Sequence, residues 1–226
     1  LRQHWTMQSL AEAIGCAEST VWNYIHEMLP YLRTELPASL LEQWQQECDS
    51  VERAELEEWL AQLGEGALLV DTWEQPIPRP QDQAEQKSHY SGKKKEHTRK
   101  NQLISLPNGT DIVDVVIGEK GPRSDSKLFE ETQAELPETL EFIGDKAYVG
   151  RRNTTTPIKK PPGGQLTQAQ KDFNQKISQK RVYVEHLIRV VKIFRIAKEE
   201  FRMRARMYER VIGCVCGLVR LRVQYV

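Results

Sequence analysis

Apolar residues recur at helical spacing in the first part of the chain. Met7 to Ile14 and Glu18 to Leu32 each read as a helix, with Gly15-Cys16-Ala17 as the turn between them. Leu10, Ala11, Ile14, Gly15 and Val21 fall at the offsets of a helix-turn-helix, with a small Ala where the helices cross and a Gly at the turn. Residues 38–63 continue as an acidic amphipathic helical stretch carrying Leu40, Leu41, Trp44, Val51, Leu56, Trp59, Leu60 and Leu63, broken by Gly64 and Gly66. The period then changes. Ala67–Trp73 reads as a continuous apolar strand of the kind buried mid-sheet, and Pro76, Pro78 and Pro80 carry the chain away as an extended loop. His97–Ser105, the Pro107-Asn108-Gly109 turn and Asp111–Ile117 predict a β-hairpin. Ser124 to Leu136 is a short helix with Ser124 or Asp125 as its cap. Leu140–Asp145 is a strand, Thr154–Lys159 a short one, and Pro161-Pro162-Gly163-Gly164 a loop. Gln168 to about Arg210 reads as helical, and Val211–Val226 closes the chain as an apolar segment.

The order strand, hairpin, helix, strand, strand, helix predicts an α/β fold of the ribonuclease H-like kind. That is a mixed sheet with flanking helices, here preceded by a small all-α helix-turn-helix segment. The expected division is residues 1–36 as the helix-turn-helix-like part, 37–66 as a helical connector and 67–226 as the catalytic domain. In such a fold the first strand pairs centrally with a later parallel one, which sets the strand ends bearing Asp71 and Asp145 side by side. A chain of 226 residues suffices for one good core and a small accessory domain. It opens at Leu1 without Met, as expected of a fragment or a processed reading frame.

Charge changes the picture more than composition does. The formal net charge is zero, yet residues 1–70 carry 3 Lys/Arg against 12 Asp/Glu, and residues 151–226 carry 18 against 5. The basic C-terminal third suits a polyanion, nucleic acid above all; the alternative is a basic surface neutralised by the acidic N-terminal part. Cys16, Cys48, Cys214 and Cys216 make no C-x2-C zinc pairing, and Cys214 and Cys216 read as small apolar residues of Val211–Val219. A reduced, cytoplasmic, nucleoid-associated protein is expected, with no signal peptide and no stretch long enough to span a bilayer.

The candidate chemistry rests on three carboxylates. Asp71 ends the apolar run Ala67-Leu68-Leu69-Val70-Asp71, and Asp145 ends Leu140-Glu141-Phe142-Ile143-Gly144-Asp145. Glu185 lies in Lys180–Arg189, which reads as a basic helix. Mg²⁺ takes oxygen ligands and keeps waters, so a few carboxylates plus substrate phosphate hold it. Two such ions about 4 Å apart activate the attacking oxygen and stabilise the leaving one. Taken singly, an Asp at a strand end is often a turn-former and a helical Glu a solvated face; order and context give the three their weight. Arg181, Glu185, Arg189 and Lys192 share one helix face, with Val182, Val184, Leu187, Ile188, Val191 and Phe194 mostly opposite.

Several stretches carry a resemblance that covers Leu68 to about Arg210. They are Val70-Asp71-Thr72-Trp73-Glu74-Gln75-Pro76-Ile77-Pro78-Arg79-Pro80, Tyr90-Ser91-Gly92-Lys93-Lys94-Lys95-Glu96-His97-Thr98 and Ser124-Asp125-Ser126-Lys127-Leu128-Phe129. Gly144-Asp145-Lys146-Ala147-Tyr148-Val149-Gly150 and Thr156-Pro157-Ile158-Lys159-Lys160-Pro161 continue it, and Arg181, Glu185 and Lys192 reproduce an R-x3-E-x6-K spacing. Together they resemble the DDE transposases of bacterial insertion sequences, relatives of retroviral integrases. The resemblance implies Asp71, Asp145 and Glu185 as ligands of two Mg²⁺ ions (Mn²⁺ substituting), cleavage at transposon ends, and strand transfer into target DNA. The chain departs from the family pattern at Ser178, where a Tyr often stands, and at Ser124, where a His is common.

The expected partner is double-stranded DNA, at transposon ends and at the target, bound by a homo-oligomer and without a membrane. Lys93, Lys94, Lys95, Arg99 and Lys100 form one basic run for phosphate contacts, or a merely soluble edge. Arg181, Arg189 and Lys192 form a second, and Arg195, Lys198, Arg202, Arg204, Arg206 and Arg210 extend the cationic surface. On the second N-terminal helix Ser19, Thr20, Trp22, Asn23 and His26 are the positions that would face the major groove, though an acidic, purely structural or dimerising hairpin fits as well. Trp73 and Tyr148 are either stacking platforms for a base or core residues. His89, His97 and His186 match no zinc spacing. The alternatives to a transposase are a non-catalytic DNA-binding protein derived from a truncated or domesticated one, and a plain metal-dependent nuclease without strand transfer.

Overall fold

The computed structural model describes residues 1–47, 53–63 and 66–224, so Cys48, Val51 and Gly64 lie outside the described residues, as does the side chain of Leu63. The chain begins with α1 (Met7–Ile14) and α2 (Glu18–Glu35). Thr6 caps α1 by accepting from the amide of Ser9, and Gly15 ends it in the left-handed region at φ 72°. Ala11 and Val21 are buried, whereas Ile14 is 58% exposed. The acidic stretch forms α3 (Leu40–Glu47) and α4 (Arg53–Leu63), whose Trp44 and Trp59 rings stack at 6.1 Å.

The sheet begins with β1 (Leu68–Pro76), followed by α5 (Gln83–His89), β2 (Tyr90–Ser91), β3 (Glu96–Ser105) and β4 (Ile112–Lys120). Next come α6 (Asp125–Glu135), β5 (Phe142–Ile143), β6 (Thr154–Thr155), α7 (Gln168–Ile193) and α8 (Tyr208–Gln224). The strand order is β2-β3-β1-β5-β6, with β4 also on β3. β1 runs antiparallel to β3 and parallel to β5. This is the mixed, helix-flanked sheet behind an N-terminal helical segment that the element order predicts. Among the described residues no helix is long and apolar enough to cross a membrane.

Alternation along β1 divides the core in two. Leu69 and Trp73 join one cluster with Val184, Leu187 and Val191 of α7 and Val211, Ile212 and Val215 of α8. Leu68 and Val70 join the other, with Trp44, Leu56, Phe129, Phe142 and Tyr148. Each of these fully buried aliphatic or aromatic side chains contributes roughly 1.5–3 kcal/mol of hydrophobic stabilisation. Leu29 of α2 joins the first cluster, with Cys214 Sγ of α8 3.6 Å from its carbonyl oxygen, and α8 approaches the end of α2 closely at Gly217, where a Cβ would lie 2.5 Å from the Leu36 carbonyl oxygen. Cys214 and Cys216 are buried in this helix as small apolar residues.

Four expectations change. β1 runs past Trp73 and pairs with β3 as far as Pro76↔Thr98, so Asp71 is mid-strand rather than at a strand end. The long C-terminal helix stops at Ile193, because residues 195–201 are held by other parts of the chain. The Gln75 amide donates to the Ile196 and Glu199 carbonyls, and the Phe201 amide to that of Pro76. Ser124 is the N-cap of α6 but bonds nothing with its side chain, and Asp125 instead pairs with Lys100 at 2.6 Å. Val182 stands 56% exposed rather than facing the core.

Candidate active site

Asp71 shares the face of β1 that carries Leu69 and Trp73, the face covered by α7, because side chains on a strand alternate. Its neighbour is fixed by register. Leu68 pairs with Phe142 and Leu69 with Ile143, an offset of 74, and the same offset carried two residues on matches Asp71 with Asp145. Asp145 follows β5 after Gly144 and caps a short 3-10 turn at Lys146–Tyr148, its Oδ1 accepting from the Ala147 amide at 2.7 Å. The third acid arrives on α7, which starts with a capping box: the Gln170 amide donates to Thr167 Oγ1, and the Thr167 amide to the Gln170 side chain. Val184 and Leu187 anchor that helix in the core, which sets Glu185 on its flank with a half-exposed side chain.

Arg181 joins the two elements. Its Nη2 lies 3.1 Å from Glu185 Oε1 and 3.4 Å from Asp71 Oδ2. Asp71 Oδ1 also accepts from the Thr72 amide at 2.8 Å. Burial pushes the Asp71 carboxyl up to about 6, and the charges of Asp145 and Glu185 push the same way, against the Thr72 hydrogen bond and Arg181. The charges of Asp145 and Glu185 thus both reach Asp71.

Oxygen donors from the middle of β1, from the turn after β5 and from α7, with a cation between Asp71 and Glu185, are of the chemical type that suits a hard divalent ion. Among the described residues, however, no three such side chains stand close enough to enclose one by themselves.

The predicted cationic residues divide into groups. Lys192 is half-buried, and burial, then the charges of Lys94 and Lys198, lower its pKa, while Asp71 raises it; Lys94 and Lys198 thus lie near Lys192, and Lys192 near Asp71. Lys93, Lys94 and Lys95 are exposed on the turn before β3, and Arg189 is exposed on α7. Arg204 and Arg206 are exposed, while Arg202 donates to the His4 carbonyl. Arg99 stacks its guanidinium over Tyr208 at 4.9 Å. Lys100 is buried against Asp125 and the Arg123 carbonyl, so it is not a phosphate contact. On α2 Ser19 and Asn23 are exposed and Thr20 half-buried, and Trp22 stacks on His26 at 3.8 Å.

Trp73 and Tyr148 are 3% and 1% exposed, hence core residues and not base-stacking platforms. Tyr148 packs under Gly144, and the charges of Asp71, Asp125 and Asp145 add to burial in raising its hydroxyl pKa. The place of Lys198 escaped the sequence reading, since a residue assigned to a continuous helix gives no sign that its loop folds back onto Gln75 and Pro76 at the end of β1.

A family model for the DDE superfamily endonucleases matches residues 70–220, which contain all three acids and the sheet that holds them. The chain belongs to the DDE superfamily endonucleases. It is also 35% identical over 158 residues to a probable transposase for insertion sequence element IS702 from Microchaete diplosiphon. That alignment covers 68% of this chain and 56% of the relative, so the chain spans little more than half the length of the curated relative it matches. The DDE assignment confirms the insertion-sequence resemblance carried by the sequence motifs.

Proposed function

We propose that this DDE protein is a transposase that cleaves phosphodiesters at transposon ends and joins the 3′-OH ends to target DNA. Asp71, Asp145 and Glu185 would hold two Mg²⁺ ions, with Mn²⁺ able to substitute. The observation that supports the reading is the link from Asp71 through Arg181 to Glu185, with the charges of Asp145 and Glu185 both acting on Asp71. When bound, such ions activate the attacking oxygen and stabilise the leaving one.

The chain's own residues do the rest. The Thr72 amide orients one Asp71 oxygen, and the Ala147 amide one Asp145 oxygen. Partial burial around Asp71 limits competing water and strengthens local electrostatics. Lys94, Lys192 and Lys198 give this side of the site a positive rim for the DNA backbone, with Lys93, Lys95, Arg99, Arg181, Arg189, Arg202, Arg204 and Arg206 as further contacts. Ser19, Thr20 and Asn23 of α2 are the proposed major-groove contacts, within a helix-turn-helix part ending near residue 36. A homo-oligomer on DNA in the nucleoid-associated cytoplasm completes the reading.

The test is nicking of supercoiled plasmid carrying the element's ends, with Mg²⁺ or Mn²⁺, by the native chain and by Asp145→Ala. Metal-dependent nicking lost in the variant is expected. DNA bound but nicked by neither protein would point to a binding protein without catalysis, and nicking by both would refute the metal assignment.

A further inference from the structure

Arg181 does not meet its two carboxylates as a guanidinium ordinarily would. An arginine at its best offers two parallel N–H groups to one carboxylate. Here a single nitrogen, Nη2, serves Asp71 at 3.4 Å and Glu185 at 3.1 Å, while the buried Nε has no hydrogen-bond partner. The contact joins acids from two different elements, and the side chain carrying it is only 16% exposed. It places a positive charge between two of the three acids read above as metal ligands, in a structure whose described acids do not close around an ion by themselves.

We propose that Arg181 is a displaceable counter-cation, which neutralises Asp71 and Glu185 in the metal-free protein and competes with the divalent ion for the same oxygens. The inference rests on the reading of Asp71, Asp145 and Glu185 as a metal site. Its physical basis is plain: carboxylate oxygens already paired with a guanidinium are poorer ligands, and a second cation a few ångströms away repels the first. Loading the site therefore requires the Arg181 contact to Asp71 and Glu185 to loosen. Glu185, half-exposed and one helical turn from Arg181, is the acid freest to turn. A role for Arg181 as a strut that merely holds Glu185 in place predicts the opposite sign, since removing a strut weakens the site.

The experiment is a Mn²⁺ titration of the full chain without DNA, following the electron paramagnetic resonance signal of the free ion. Native protein, Arg181→Gln, Arg181→Met and Asp145→Ala are compared. Arg181→Gln is expected to bind Mn²⁺ about tenfold more tightly. Arg181→Met, which keeps much of the aliphatic stem, is expected to move the same way and decides the matter if the Gln variant does not fold. Unchanged or weaker binding in a folded Arg181 variant overturns the inference. The underlying reading fails separately: Asp145→Ala binding Mn²⁺ as well as native protein would remove the metal site itself, whatever the Arg181 variants do.

Discussion

Gly144 lies against the ring of Tyr148: a Cβ built on it would stand 2.6 Å from ring Cδ2 and 3.1 Å from Val70 Cγ1. The ring is buried and wedged against Phe129, with centroids 5.2 Å apart, so it has little room to give. The sequence Gly144-Asp145-Lys146-Ala147-Tyr148 thus packs its own aromatic beneath the residue that precedes Asp145. Gly144→Ala is expected to cost on the order of 1–3 kcal/mol, the usual range for overpacking. It should also depress nicking, because Asp145 is the next residue. Gly92→Ala is the control, since a Cβ there meets nothing within 4 Å. Urea unfolding of both variants decides it, and a Gly144→Ala protein as stable as native would contradict the packing argument.

Arg220 is the residue on which the N-terminal helices hang. Its Nε donates to Asp111 at 2.7 Å, its Nη1 to the Pro37 and Ser39 carbonyls, and its Nη2 to Gln43. The Arg220 side chain is 4% exposed and that of Asp111 8%. Removing one partner of such a pair leaves a buried charge uncompensated, at a typical cost of 3–5 kcal/mol. Arg220→Met is expected to lose about that much in urea unfolding. The double variant with Asp111→Leu should recover part of it, with the carbonyls still unpaired. A single variant within about 0.5 kcal/mol of native would sink this account.

The same arginine shows where sequence reading stops. Arg220 counts toward the basic C-terminal third, yet it is spent inside the protein, as is Lys100 against Asp125. The strand holding Asp71 was legible because an apolar run buried on both faces needs no partner to be recognised. Its extension to Pro76 was not, because the residues that continue it are polar. Gln75, Asn101 and Gln102 are buried, and Tyr208 links two of them: Asn101 donates to its hydroxyl, which in turn donates to Gln75. Hydrogen bonds between residues more than a hundred positions apart leave no local period. The helix α5 was missed for a related reason: it buries nothing, so no apolar stripe marks it. The parallel pairing of β1 with β5 was legible by order, and its offset of 74 equals the spacing of Asp71 and Asp145. The bridge by Arg181 to Asp71 was not, because it joins elements 110 residues apart.

Asp114 predicts a pH dependence away from the candidate active site. Burial, then the nearby carboxylates of Glu135 and Glu42, push its carboxyl up to about 6 from 3.8, against a hydrogen bond from the Val115 amide. The folded chain thus binds this proton more tightly than the unfolded chain does. Folding is penalised in full above about pH 6, and the penalty fades as the pH falls toward 4. Asp114→Asn removes the charge and should raise the melting temperature at pH 7.5, by about 2–4 °C for each kcal/mol relieved. The gain should shrink between pH 6 and pH 4. Thermal unfolding of both proteins across that range checks it, and a gain independent of pH would mean that ionisation of Asp114 is not its source.

Arg204 and Arg206 offer the cleanest test of the DNA path, because both are exposed and hold no element in place, unlike Arg202, which donates to the His4 carbonyl. A cation that neutralises a DNA phosphate releases a condensed counterion, so each such contact contributes about 0.9 to the slope of log K against log salt. Replacing both with Gln is therefore expected to weaken binding to duplex DNA of any sequence and to flatten that slope by about 1.8 if each meets one phosphate. Fluorescence anisotropy at several salt concentrations measures both quantities, and the melting temperature should not move. Weaker binding with an unchanged slope would mean that the arginines act through the shape of the loop. No change in either would place the DNA away from this loop, and the path would then have to follow the cations around Lys94, Lys192 and Lys198.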